Sequence, residues 1–403
     1  MRDLTAVGVS VLIVVALGVV PAAGGELGRS SATVTGASGV DAAQETCSYP
    51  LTVTDATGTE VTVEEEPQRI VTLAPSAAQT LWAFNASDTV VGVSVFADYL
   101  AGASDREIVR DFDGVKTETI VGLEPDLVIA PDVVSDETVD QLRSSGLTVY
   151  KVNASANFED VYAKTERIGA LSGECAAADA TVADMRERIT AIENAVEDEE
   201  RPGALYTFYG FTTGSDTFIH SVITTAGLTN VAAEAGITGF TTEPLNPEVV
   251  ANNSENIEWL IVNSNPGSHP SNLDSSDVYN GTYAAQNGQT VTVNEDYLNQ
   301  PGPYTVRALE NLTQAVHPEA YEEAQTALEA TPTATAEPTA TPTATDTETA
   351  ESMMTPTATP GEMGGDTPDQ TDDPATSENG PGFTAAAGVL AVLAAVLFSR
   401  RRR

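Results

Sequence analysis

Few residues in this chain have the spacing of catalysis. His220, His269 and His317 lie far apart and lack the spacing of a paired-histidine metal site. The chain shows neither a Gly-x-Ser-x-Gly elbow nor a glycine-rich phosphate loop. Carboxylates are too numerous for any one pair to stand out, so nothing argues for an enzyme, a cofactor or a metal. What the sequence offers instead is rings at the ends of apolar runs. Phe96 and Tyr99 follow Val90–Ser94, Phe112 adjoins Asp113-Gly114, and Phe208, Tyr209 and Phe211 surround Gly210; Tyr297 follows Gln289–Val293. Rings beside amide and carboxyl groups make no bonds; they grip a large, flat, partly apolar ligand. Each of these rings has an ordinary core role as its alternative.

The elements that must position these rings read as two α/β halves. Two alternating strands meet across Asp55-Ala56-Thr57-Gly58, and an apolar strand runs from Ile70 to Leu73. Ser76 is expected to cap a helix through Phe84. Strands are expected at Val90–Ser94, Leu127–Ala130 and Leu147–Val152, with helices at Thr117–Leu123, Asp136–Ser145 and Phe158–Leu171. Such alternation argues a parallel α/β lobe, in which ligands sit beyond the carboxyl ends of the strands. The second half repeats the theme: strands at Ala204–Tyr209, Trp259–Val262 and Gln289–Val293, helices at Phe218–Ala226 and Val306–Val316. Between the halves lies Cys175–Glu200. Val182, Met185, Ile189, Ile192 and Val196 are spaced three, four, three, four, one stripe of a helix roughly 35 Å long. A stiff rod between two α/β halves implies two lobes with a cleft between them; a packing helix inside one larger domain is the other reading.

Charge narrows the partners. The chain has 403 residues, with 59 acidic against 18 basic and a formal net charge of −41; Lys116, Lys151 and Lys164 are its only lysines. Without a basic stripe to release counterions, the folded part is not expected to bind nucleic acid. A dispersed acidic surface poor in lysine resembles proteins of salt-loving archaea. At about 1 M salt the screening length is only ~3 Å, so the self-repulsion is largely screened.

Both ends carry addressing signals. Residues 1–24 read as a secretory signal peptide: Arg2, an apolar run, then Pro21-Ala22-Ala23-Gly24. Residues 25–46 are a flexible leader, 47–156 the first lobe, 157–200 the helices including the rod, and 201–328 the second lobe. Residues 329–380 form a Thr/Pro-rich stalk that cannot bury a core. Residues 381–403 combine Pro381-Gly382-Phe383, a short apolar run and Arg400 to Arg403. That tail resembles the PGF-CTERM sorting signal of archaeal surface proteins, which implies an archaeosortase, removal of the helix and a lipid anchor to the membrane. The body of the protein is then outside the cell. There the pair Cys47 and Cys175 favours a disulfide over two buried thiols, and Asn85, Asn153, Asn252, Asn280 and Asn311, each in Asn-x-Ser/Thr, are candidate glycan sites.

Four stretches carry a wider resemblance: RIVTLAPSAAQTLWAFNASDTVVGVSVFADY (69–99), ETIVGLEPDLVIA (118–130), QLRSSGLTVYKV (141–152) and TFIHSVITTAGLTNVAAEAG (217–236). Together they resemble the cobalamin-binding proteins of ABC importers, within the group that also takes haem and iron-siderophores. The resemblance implies a periplasmic-binding-protein fold of two α/β lobes joined by one long helix, and a monomer that binds a ligand without altering it. It also implies partnership with an ABC permease and its ATPase. Carried over residue by residue, Phe96 and Tyr99 match the aromatic loop that stacks on the corrin, Phe112 an aromatic wall, and Ser76 and Ala77 the turn at the cleft floor. Asp296 and Gln300 match polar contacts from the second lobe, and an arginine often expected near Gln300 is missing. Pro131 stands where some members have tryptophan. Glu118 and Asp216 match the acidic residue of each lobe that docks on the permease. A structural cell-surface glycoprotein is the competing class, suggested by stalk, tail and glycan sites.

Overall fold

The computed structural model describes residues 47–270 and 276–330. The signal peptide, leader, stalk and sorting tail lie outside the described residues, apart from the first two residues assigned to the stalk. Among the described residues no helix is long and apolar enough to cross a membrane.

The chain enters through an antiparallel hairpin, β1 (Leu51–Thr54) with β2 (Glu60–Val63), in the register Leu51↔Val63 to Thr54↔Glu60. Asp55 builds its turn by accepting from the Thr57 N–H at 2.8 Å and the Thr57 hydroxyl at 2.6 Å. Six further strands form the first lobe's sheet: β3 (Ile70–Thr72), β4 (Val90–Ser94), β5 (Glu107–Asp111), β6 (Gly114–Val115), β7 (Leu127–Ala130) and β8 (Val149–Lys151). Their order is β6-β5-β4-β3-β7-β8, parallel throughout except for β5 with β6. β7 is buried along its whole length, which is why it reads as the unbroken apolar run Leu-Val-Ile-Ala rather than an alternation. β5 escapes a sequence reading because Glu107, Arg110 and Asp111 interrupt its apolar pair.

The second lobe holds β9 (Gly203–Thr207), β10 (Thr229–Asn230), β11 (Trp259–Asn263) and β12 (Thr290–Val293), all parallel in the order β10-β9-β11-β12. β9 stops at Thr207, so Phe208 and Tyr209, expected inside the strand, form the turn that follows it. Tyr209 at φ 50° and Gly210 at φ 85° take the left-handed conformation, which ends an extended run.

The rod is a helix over Cys175–Ala195, about 31 Å at 1.5 Å per residue. It ends five residues before the expected Glu200. The missing stretch is rich in Glu and Asp, and negative charge is disfavoured at the negative end of a helix dipole. Its head and body serve different cores. Ala178 packs with Ile168 and Leu171 in the first lobe's core. Val182, Met185, Ile189 and Ile192 pack with Tyr206, Phe218, Leu309 and Leu312 in the second. The close approach at the head depends on Gly169, where an added Cβ would stand 2.3 Å from Ala178 Cβ. At the same end Cys47 and Cys175 are joined by a disulfide with a Cα–Cα distance of 5.5 Å. A last helix, Pro318–Ala330, was not foreseen; it lays Ala320 and Ala324 into the second lobe's core. Its buried side is made of alanines, too weakly apolar to show as a stripe in sequence.

Candidate functional site

In the first lobe the strand order reverses beside β3, because β3 runs on to β4 while its other neighbour, β7, runs on to β8. The carboxyl ends of such strands form the usual ligand crevice. The helix leaving β3 spans Pro75–Ala83, with Ala74 at its N-cap and no side-chain cap. Ser76 is therefore not the cap, as expected, but a buried residue of the first turn. Pro75 occupies the first helical position, where its missing N–H costs nothing and its fixed φ already suits the helix. Ser76 and Ala77, both in this first turn, are buried.

Phe96 follows β4 in the short helix Val95–Ala97, whose start is fixed by Ser94 Oγ accepting from the Phe96 N–H at 3.4 Å. Phe112 is carried on the β5–β6 tip, where Asp111 accepts from the Asp113 N–H at 2.9 Å and pairs with Lys116 at 2.9 Å. The two rings meet edge to face with centroids 5.0 Å apart, the arrangement the ring quadrupoles favour. Phe112 is 44% exposed despite its size.

From the second lobe, Asn294 caps the helix Glu295–Leu298 by accepting from the Asp296 N–H at 2.7 Å. Burial, then Asp98 of the first lobe, push the Asp296 carboxyl up to about 6. Glu295 is raised by burial and by the same two aspartates. Tyr99 joins them through Gln79, whose Nε2 donates to the Tyr99 hydroxyl at 2.9 Å and to the Asp296 carbonyl at 3.4 Å. Burial pushes the Tyr99 hydroxyl up, against the opposing effect of the Gln79 bond. Beside them Arg307 lies over the rings of Tyr304, at 4.2 Å, and Tyr297, at 5.3 Å. Gln300 sits next to this group, its carbonyl accepting from the Thr305 hydroxyl at 3.3 Å.

Two cations are buried on the first lobe's side. Arg110 donates to the Leu73 carbonyl at 2.9 Å, and burial lowers its pKa although Asp132 opposes this. Lys164 donates to the Pro301 carbonyl, and burial lowers it to about 8 against the pull of Asp132 and Asp160.

The structure thus gathers the expected residues into two groups, Phe96 with Phe112 on one loop pair, and Tyr99 with Asp296 across the lobe junction. It does not add every ring: Phe208 packs on the second lobe's core and meets Tyr209 edge to face with centroids 4.9 Å apart. Glu118, in the first turn of the helix Thr117–Gly122, and Asp216, at φ 61° in the loop after β9, are both exposed. All five Asn-x-Ser/Thr asparagines are exposed as well. Two surface depressions lie elsewhere. One of about 300 Å³ is flanked by Tyr162, Arg186 and Glu193, and one of about 410 Å³ by Phe240, Pro244 and Leu245. Gln79, Lys164 and Gly302 were missed by the sequence reading. A glutamine set in the apolar run Ala77-Ala78-Gln79-Thr80-Leu81 was the one local hint of a buried polar role.

Comparison with known proteins places these features in context. The profile of the family described as periplasmic binding protein matches residues 70–297. The cobalamin-binding protein of Halobacterium salinarum is 40% identical over 282 residues, covering 68% of this chain and 76% of that protein. An uncharacterised ABC transporter substrate-binding lipoprotein of Bacillus subtilis is 28% identical over 296 residues, 70% of this chain and 90% of its own. Two solved structures share the fold. The periplasmic haem-binding protein of Roseiflexus has a TM-score of 0.57 at 24% identity, over 64% of this chain and 99% of that one. The periplasmic vitamin B12 binding protein of Vibrio cholerae has 0.54 at 22%, over 64% and 98%. At these identities the structural likeness bears on fold alone. Joined with a profile that spans over half the sequence, the paired α/β sheets and the helix between them mean that this chain belongs to the periplasmic binding protein family.

Proposed function

We propose that the chain captures a corrinoid outside the cell and passes it to an ABC permease, whose ATPase supplies the energy. The observation that carries this reading is the 40% identity to the cobalamin-binding protein of Halobacterium salinarum. The site geometry agrees with it. Phe96 and Phe112 offer an apolar edge to a flat macrocycle, Ser76 and Ala77 the floor, and Tyr99, Asp296 and Gln300 polar groups at the lobe junction. Glu118 and Asp216, one exposed carboxylate per lobe, serve as the docking points for the permease. Secretion through residues 1–24 and anchoring through residues 381–403 complete the assignment, with a monomer held at the outer face of the membrane by a lipid. The chain makes and breaks no bonds in its cargo and needs no cofactor of its own.

Calorimetric titration of the protein in high salt tests the reading, with cobalamin, haem and a ferric siderophore in parallel. Cobalamin is expected to bind with a Kd of about 1 μM or tighter, near −8 kcal/mol. Binding of haem or siderophore without cobalamin would move the chain to a sister ligand. Binding of none would leave the surface-glycoprotein class.

A further inference from the structure

We infer that Gln79 is a clasp that sets the spacing between the two lobes and so positions the ligand walls on either side. For its consequence in ligand binding the inference rests on the receptor reading above.

Gln79 is fully buried on the helix that leaves β3, yet its amide serves both lobes at once. Its Nε2 donates to Tyr99 of the first lobe at 2.9 Å and to the Asp296 carbonyl of the second at 3.4 Å. Its Oε1 accepts from the Tyr304 N–H of the second lobe at 2.9 Å. One side chain therefore binds a residue from each wall together with the segment behind Asp296.

The second lobe is shaped to receive it. Gly302 is buried, and a Cβ there would stand 2.5 Å from Gln79 Oε1 and 3.4 Å from the Ser76 carbonyl. Any Cβ at this position would therefore press on the Gln79 amide itself. Thr305 holds the segment's own bend, its hydroxyl accepting from the Gly302 N–H at 3.3 Å and donating to the Gln300 carbonyl at 3.3 Å. Lys164, buried on the first-lobe side, takes the adjacent Pro301 carbonyl. Asp98, Glu295 and Asp296 bring like charge to the same junction from opposite lobes, so a neutral amide links the lobes where carboxylates repel. A buried amide whose partners sit on two bodies resists their separation, since parting them leaves desolvated groups unpaired.

The test measures lobe spacing directly and without ligand. Spin labels at Asp140→Cys and Glu248→Cys, exposed on opposite lobes, report the inter-lobe distance distribution by pulsed electron paramagnetic resonance. Labels at Ser104→Cys and Asp140→Cys, both in the first lobe, serve as control. Gln79→Met keeps the length of the side chain and removes the hydrogen bonds; Gly302→Ala keeps every bonding group and adds the colliding Cβ from the other side. Each variant is expected to broaden or shift the inter-lobe distribution and leave the intra-lobe control as in the unsubstituted protein, with thermal melts certifying the fold. Cobalamin affinity should fall about tenfold as the competent spacing becomes a minority state. An inter-lobe distribution as narrow and as centred as the parent's in either folded variant overturns the clasp. Because that readout needs no ligand, failure of the parent to bind cobalamin would sink the receptor reading and leave this test standing.

Discussion

Phe112 is the residue at which the proposed site is most directly tested. A large ring left 44% exposed gains by covering, so truncation should act on binding more than on folding. Phe112→Ala is expected to weaken cobalamin binding by about 1–3 kcal/mol, read by titration, with the melting temperature little changed. Unchanged affinity would remove Phe112 from the site. Asp296 gives a residue-scale effect with a definite sign. Its carboxyl titrates near 6 in the fold, above the ~3.9 of a free aspartate, so the folded chain holds this proton more tightly than the unfolded one. The associated stability is complete below about pH 4 and is lost as pH rises through about 6. Asp296→Asn cannot ionise, and should match the parent at pH 4 but exceed it in denaturant midpoint at pH 7.5. A parallel pair of curves would contradict the assignment. In sequence, Phe96 and Tyr99 stand just beyond a recognisable strand and Phe112 beside Asp113-Gly114, whereas Asp296 was reached only through the resemblance. Gln79 was not legible, because its importance lies in a partner more than 200 positions away.

The elements owe their placement to a few buried polar locks. Among the described residues the two strands of the entry hairpin pair only with each other, and a lone hairpin is marginal in water. It is held to the lobe by Asp55, whose side chain is fully buried and pairs with Arg143 at 2.5 Å while accepting from the Lys151 N–H at 3.1 Å. Burial alone would raise this carboxyl, but the hydrogen bonds from Thr57, Lys151 and Arg143 prevail and lower it. Arg143→Ala removes the ion pair but leaves Asp55 its bonds from Thr57 and Lys151, and should cost about 1.5–3 kcal/mol in chemical denaturation, with early loss of hydrogen-exchange protection in β1 and β2. A cost below about 1 kcal/mol would show that the hairpin is held by its apolar side instead. The strands and helices themselves were readable from local patterns: alternation in β1 and β2, an unbroken apolar run in β7, a three-four stripe in the rod. β5, β6, β10, the short second-lobe helices from Val231–Glu234 to Glu295–Leu298 and the helix Pro318–Ala330 were not, since they are too short to show a period or are buried by neighbours while their own residues are charged or small.

At the scale of the molecule, one rod belongs to two cores, and the disulfide sits where it enters the first. The bridge closes a loop of 128 positions, so the chain-entropy model gives it up to about 5 kcal/mol. Reduction is expected to lower the denaturant midpoint substantially while the folded circular dichroism spectrum persists; an unchanged midpoint would show that the cross-link adds nothing. From the sequence alone came the two α/β halves, the helix between them, the acidic surface and the rings at the strand ends, because each is written in local spacing or in composition. The strand order, the buried Gln79 bonded to both lobes and the glycine that admits it were decided only in three dimensions. Their energies belong to pairs of segments far apart in the chain, and no stretch of sequence contains both partners of such a pair.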